Sequence, residues 1–177
     1  MKSWLFLMLT LMLTIFSCQK IDEWTQFNME YTSSVSIPAT LGIDLPIDIW
    51  TPNIPSNSEE EFESNNTAKN LIEKIVLTKL SMEITSPESS SFDFLKNIEI
   101  YIEADGLEEK KIAWLEDIPK TGLKRIELET AVDDLREFIM KDNYKLRTKT
   151  VSRQLISHET EVEIKNTFFV DAKILGI

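Results

Sequence analysis

The chain has 177 residues and carries 30 Asp and Glu against 19 Lys and Arg, so its formal net charge is -11. Binding to phosphates needs clustered basic side chains, so this acidity argues against a nucleic-acid partner. The single Cys excludes disulfides within the chain and zinc sites built from several Cys ligands. The length suits one domain with a substantial core.

The N-terminal segment has the layout of a secretory signal peptide. Met1 and Lys2 make a positive start, an apolar run covers 4–16, and the small residue Ser17 follows. The run has about 13 residues, fewer than the about 20 that a membrane-spanning helix needs. We therefore predict a cleaved signal peptide over 1–17. A signal peptide cut nearby and an uncleaved anchor are the alternatives.

The only Cys of the chain stands at the end of this segment. The residues Ile15-Phe16-Ser17-Cys18 resemble the bacterial lipobox. The resemblance implies that the thiol of Cys18 takes a diacylglyceryl group and that Cys18 becomes the first residue after cleavage. Two or three acyl chains, at about 0.8 kcal/mol per buried methylene, make a durable membrane anchor. A covalent lipid on Cys18 is thus expected, and no other cofactor.

The residues after Cys18 resemble a second targeting signal. The run Gln19, Lys20, Ile21, Asp22 and Glu23 resembles the surface-export signal of Bacteroidetes lipoproteins, which is a Gln and a Lys followed by acidic residues. The resemblance implies a lipid-anchored protein on the extracellular face of the outer membrane of a Gram-negative bacterium. A plain polar spacer is the alternative. Residues 18–23 then form a short tether to a single domain over 24–177.

The rest of the chain shows the two-residue hydrophobic period of β-strands, with turn signals such as Asp105-Gly106 between the segments. The predicted strands cover 25–37, 43–50, 71–85, 98–103, 109–116, 123–129, 143–152 and 160–174. Pro46 has no amide hydrogen, so its strand is expected at a sheet edge. The pattern predicts an all-β fold, an antiparallel β-sandwich of about eight strands. A closed barrel is the alternative.

Three segments interrupt the strand pattern. The acidic, proline-bearing stretch 51–66 predicts a long loop. Residues 92–96 predict a single helical turn. Apolar residues at helical spacing predict one short helix around 131–140, with Thr130 as its N-cap.

Two runs carry a resemblance within the domain. The runs SPESSSFDFLKNIEIYIEADGL and TFFVDAKIL resemble the C-terminal part of small Bacteroidetes lipoproteins. The resemblance implies an Ig-like or LEA-14-like β-sandwich. It brings no catalytic residues, and a shared fold would not by itself supply a function.

Residues that could carry chemistry are few. His158 is the only His and lies between two predicted strands, so a solvated turn residue is expected and not a Ser–His–Asp site. A glycosidase pair remains open by residue type alone, with Asp133, Asp134, Glu103 and Asp105 as candidates. Calcium would find oxygen ligands in Glu103, Asp105, Glu108 and Glu109, but the spacing is not that of an EF-hand. An acidic hairpin turn is the favoured interpretation, so no metal site is predicted.

Two surface features suggest contacts with other molecules. Trp50 lies at a strand end beside the acidic stretch. Because sugar rings stack on flat aromatic faces, Trp50 is the candidate ligand contact. Trp114 is expected in the core and Trp24 over the end of the sheet. A basic stripe along one strand is expected to pair with Glu161 and Glu163 of the next strand across a hairpin, and a ligand-binding stripe is the alternative. The stripe consists of Lys145, Arg147, Lys149 and Arg153.

These observations favour a non-catalytic function. We expect a binding or adhesion module, or an accessory subunit of a cell-envelope complex, with a glycan or a protein as partner. The alternatives are a glycan-acting hydrolase and a periplasm-facing lipoprotein of envelope assembly.

Overall fold

A computed structural model describes residues 26–39, 43–44 and 46–173. The predictions made for the signal peptide, Cys18, the tether and Trp24 lie outside these residues. Among these residues, the α-helices, named in chain order, are α1 (Ser58–Ser64) and α2 (Arg136–Ile139). The strands are β1 (Gln26–Ile37), β2 (Pro46–Trp50), β3 (Ile54–Pro55), β4 (Ile72–Ser86), β5 (Leu95–Ala104), β6 (Lys110–Leu115), β7 (Arg125–Thr130), β8 (Asn143–Ser152) and β9 (Thr160–Ala172). Short 3-10 turns at Lys69–Leu71 and Phe92–Phe94 precede β4 and β5.

The strands form two antiparallel layers. The back sheet has the order β1-β9-β4-β7, and the front sheet has the order β6-β5-β8-β2, with β3 also paired to β8. The layers are joined where β7 pairs with β6 through Ala113–Thr130 and Trp114–Glu129. The predicted all-β, sandwich-like fold is confirmed. The edge position of β2, expected from Pro46, is confirmed as well.

An aromatic cluster lies in the core between the two sheets. Tyr31 of β1 and Phe168 of β9 come from the back sheet, and Tyr144 of β8 comes from the front sheet. Their ring centroids are 5.8 to 6.3 Å apart and meet edge to face, the arrangement that aromatic quadrupoles prefer. Tyr144 and Phe168 are fully buried. The cluster therefore ties the two layers together at one end of the sandwich.

The stretch predicted as a loop over 51–66 contains two regular elements, so that prediction is wrong for β3 and α1. Phe62 of α1 is fully buried, and its ring lies 6.3 Å from that of Phe27 in β1. The sequence gives no signal for this helix, because about two turns with a single buried apolar residue show no detectable hydrophobic period.

The predicted helix around 131–140 is present but shorter, since α2 covers only Arg136–Ile139. Thr130 is the last residue of β7 and not an N-cap. The carboxylate of Asp134 instead accepts hydrogen bonds from the amides of Ile75 (3.1 Å) and Arg136 (3.0 Å). These bonds hold the segment before α2 against β4, so it cannot follow the helical path.

The hairpin expected between the last two long strands does not exist. β8 pairs with β2, β3 and β5, whereas β9 pairs with β1 and β4. The basic stripe of β8 and the carboxylates of Glu161 and Glu163 thus belong to different sheets. Within the stripe, Arg147 pairs instead with Asp48 and Glu109, as described below.

A buried hydroxyl in the front sheet leads to a stability prediction. Thr148 is fully buried, and its Oγ1 has no hydrogen-bond partner among the described residues. We expect Thr148→Val to raise the free energy of unfolding by about 1 kcal/mol, because it removes an unpaired buried polar group without changing the shape of the side chain.

The matched control is Thr150→Val on the same strand. Thr150 is equally buried, but its Oγ1 donates to the carbonyl of Asn97 at 2.6 Å. Its replacement should lower the free energy of unfolding by about 1 kcal/mol. Urea denaturation of both variants measures the difference, and a loss of stability in Thr148→Val would contradict the prediction.

Candidate functional site

The outer face of the front sheet carries a row of alternating rings and cations. Trp50, Arg147, Tyr101 and Lys111 lie opposite one another on β2, β8, β5 and β6. We call these four residues the aromatic row. Neighbouring strands are about 4.8 Å apart, so the row crosses about 14 Å of the sheet.

Arg147 is the centre of the aromatic row. Its guanidinium carbon lies 4.4 Å from the centroid of the Tyr101 ring and 5.7 Å from that of Trp50. Nε and Nη2 donate to the two carboxylate oxygens of Glu109 at 2.9 and 2.7 Å, and Nη1 donates to Asp48 at 2.5 Å. The hydrogen bonds to Glu109, more than those to Asp48, raise the pKa of Arg147. The guanidinium is therefore charged and held in one plane between two rings.

Trp50 is exposed on a fixed backbone. Its side chain is 45% exposed, at the last position of β2. The next residue, Thr51, is buried and joins β8 through two hydrogen bonds to Leu146, one from its amide (2.9 Å) and one accepted by its Oγ1 (3.0 Å). The ring is thus accessible to solvent, while the backbone next to it is held by hydrogen bonds. A fixed, accessible ring suits contact with a ligand.

A second row lies beside the first and includes Trp114. Its members are Asp48, Lys149, Glu99 and Trp114. Trp114 was expected in the core, and that expectation is wrong, because its ring is half-buried on the outer face with the ammonium of Lys111 5.5 Å from the centroid. A register shift between β5 and β6 buries Ile112 and Ala113 in succession and so turns Trp114 outward.

Glu99 connects the two rows. One carboxylate oxygen lies 3.2 Å from the ammonium of Lys111, and the other accepts a hydrogen bond of 3.0 Å from the hydroxyl of Tyr101. Partial burial raises the pKa of Glu99, but the bonds from Lys111 and Tyr101 and the charges of Lys111 and Lys149 together lower it. The pKa of Tyr101 is raised, first by burial and then by Glu99. Glu99 is therefore ionised and Tyr101 neutral, a pair suited to hydrogen bonding.

A cavity of about 400 Å³ adjoins the aromatic row. Lys145 and Glu103 line it, and they are opposite each other on β8 and β5, two residues beyond Arg147 and Tyr101. We call this cavity the polar hollow. Its other polar side chains are Asn53, Asp105, Lys141, Asp142 and Asn143.

The remaining sequence candidates are dispersed. His158 is exposed, as expected, and its ring lies 2.7 Å from the hydroxyl of Ser157. Asp133 pairs with Lys110 at 3.4 Å, and Asp134 holds the segment before α2, so these two carboxylates have separate partners. Glu108 is exposed.

The described residues contain neither a cluster of metal ligands nor a membrane-spanning helix. Within 26–39, 43–44 and 46–173, no three His, Cys, Asp or Glu side chains are grouped so that they could hold a metal ion. In the same part of the chain, no helix is both long and apolar enough to cross a membrane.

Comparison with known proteins supplies no family. No protein-family model and no curated protein matches the chain. Among solved structures, that of Desmodium yellow mottle tymovirus aligns with 86% of this chain and 91% of its own at 10% identity, with a TM-score of 0.31. Two structures of turnip yellow mosaic virus, one of them an empty head, align at 8% identity over 84% and 85% of this chain and the same shares of their own, each with a TM-score of 0.27. Similarity this low carries no argument about fold or function.

Proposed function

We propose that the chain is a non-catalytic glycan-binding lipoprotein, anchored through Cys18 on the extracellular face of the outer membrane. The observation that carries the binding function is the aromatic row, in which Trp50 and Tyr101 flank a guanidinium held by two carboxylates. Such a protein would act as an adhesion module or as an accessory subunit of an envelope complex.

The geometry of the row favours a sugar over an apolar ligand. Exposed rings offer flat faces on which pyranose rings stack, and Lys149, Asp48 and Glu99 stand beside them as donors and acceptors for hydroxyl groups. Because Arg147 and the backbone after Trp50 are already held in place, little conformational entropy would be lost on binding. The proposed function is binding without hydrolysis, and it gives none of these carboxylates a catalytic role.

The anchor would place this surface near the membrane. Contacts of Tyr31 with Ser56 and of Phe27 with Phe62 put the beginning of β1 at the same end of the sandwich as the segment that follows Trp50. Gln26 is eight residues after Cys18, so the two are at most about 29 Å apart. The glycan would therefore be one that reaches the bacterial surface, such as a host, dietary or envelope polysaccharide.

Replacement of Trp50 tests the binding function. We expect the full-length lipoprotein, purified in detergent, to bind an array of immobilised polysaccharides from plants, mucosal hosts and bacterial envelopes. Trp50→Ala should weaken that binding at least about 10-fold, equivalent to about 1.4 kcal/mol, because it removes the exposed stacking surface.

Phe169→Ala is the matched control, because Phe169 is a half-buried aromatic residue facing outward on the back sheet. Its binding should stay within about twofold of the wild type, a negligible free-energy change. Absence of binding to every glycan, or equal binding by Trp50→Ala and the wild type, would refute the proposed function.

A further inference from the structure

We infer that the ligand is an uncharged glycan chain of several sugar units, which runs from the aromatic row into the polar hollow. This inference rests on the proposed function and names the ligand class of the same surface. Three observations support it. The aromatic row and the polar hollow form one surface, the hollow has polar side chains without partners, and positive and negative side chains are nearly equal in number over both.

The row and the hollow form one continuous surface. On both β8 and β5, the next outward-facing residue beside the row also lines the hollow. Lys145 lies two residues before Arg147 on β8, and Glu103, its antiparallel partner, lies two residues after Tyr101 on β5. Two residues along a strand are about 6.7 Å, so the step is short. The turn between β5 and β6 adds a second link, since Asp105 lines the hollow and Glu109 holds Arg147.

The hollow contains polar side chains without partners. Among the described residues, seven of its lining side chains make no hydrogen bond and no ion pair with the protein. They are Asn53, Glu103, Asp105, Lys141, Asp142, Asn143 and Lys145. In the aromatic row, by contrast, the charged groups of Arg147 and Lys111 are already paired with carboxylates. The hollow can therefore supply directional hydrogen bonds to hydroxyl groups, while the row supplies stacking.

Charge on this surface is nearly balanced. Five cations (Lys111, Lys141, Lys145, Arg147 and Lys149) face six carboxylates (Asp48, Glu99, Glu103, Asp105, Glu109 and Asp142). A polymer bearing uronate or sulfate groups would gain no net attraction here and would be repelled by the chain as a whole, whose net charge is -11. An uncharged glycan suits the surface.

The surface is larger than a single sugar, which would cover only part of it. The row crosses about 14 Å, and the hollow adds a cavity of about 400 Å³ beyond it. A ligand that touches Trp50 at one end and Asn143 at the other must contain several linked units.

The experiment compares a variant of the hollow with a variant of the row. Neutral polysaccharides of the array (glucans, xylans, galactans and mannans) and uronate- or sulfate-bearing polymers are tested against the wild type, Trp50→Ala and the double variant Glu103→Ala/Asn143→Ala. For each neutral polymer bound, the corresponding disaccharide and hexasaccharide are titrated by calorimetry.

We expect neutral polymers alone to bind, with an affinity that changes less than about threefold between about 50 and about 500 mM NaCl. The double variant should lose about 10-fold in affinity for the hexasaccharide and less than about twofold for the disaccharide. Trp50→Ala should weaken both.

Three results would overturn the inference and leave the proposed function intact. These are binding of acidic polymers only, a steep fall of affinity with salt, and a double variant that binds the hexasaccharide like the wild type. A protein that binds none of the glycans would overturn both.

Discussion

Phe168→Ala is expected to lower the free energy of unfolding by about 3–5 kcal/mol. Phe168 is completely buried, and its ring meets those of Tyr31 and Tyr144 at 5.8 and 6.3 Å. Its truncation would remove apolar area and open a cavity between the two sheets. Since domains of this size are stable by only about 5–15 kcal/mol, the variant would lose a large part of its stability.

The neighbouring residue provides the control. Phe169 has the same side chain on the same strand, but it faces outward from the back sheet and is only half-buried. Phe169→Ala should cost less than about 1.5 kcal/mol, since less area returns to water and no enclosed cavity forms. Urea denaturation followed by tryptophan fluorescence measures both variants. Equal losses would contradict the assignment of Phe168 to the space between the sheets.

Cys18→Ala is expected to move the protein from the membrane fraction to the soluble fraction and to abolish incorporation of labelled palmitate. Each buried methylene of an acyl chain contributes about 0.8 kcal/mol, so loss of two or three chains removes an essentially permanent anchor. Fractionation of cells and metabolic labelling measure the two effects. A Cys18→Ala protein that remains membrane-bound would instead indicate an uncleaved N-terminal anchor.

The Gln19→Ala/Lys20→Ala double variant separates anchoring from surface export. It retains Cys18 and should stay in the outer membrane, but it should resist protease added to intact cells, whereas the wild type is digested. A wild-type protein that resists protease in the outer-membrane fraction would place the domain in the periplasm, and envelope assembly would then become the leading function.

The hydrophobic period alone was sufficient to predict most strands, because alternation records which side of each strand faces the core. The missing amide hydrogen of Pro46 predicted the edge strand, and the place of Trp50 at a strand end predicted an exposed ring. The hydrophobic period missed α1, which buries one apolar residue only, and it misplaced Trp114, because a bulge reverses the alternation without a local signal.

The sequence did not predict which of the last strands pair with one another. Residues 143–152 and 160–174 looked like a hairpin, but their strands lie in different sheets, and Arg147 pairs with Asp48 and Glu109 and not with Glu161 or Glu163. Local alternation defines the face of a strand but not its neighbour, which depends on contacts between distant segments. Trp50 and Arg147 come from strands far from the hairpin that carries Tyr101 and Lys111, so the candidate site exists only in the tertiary structure. The sequence determined the β-rich character of the chain, whereas sheet pairing decided which side chains come together in the candidate site.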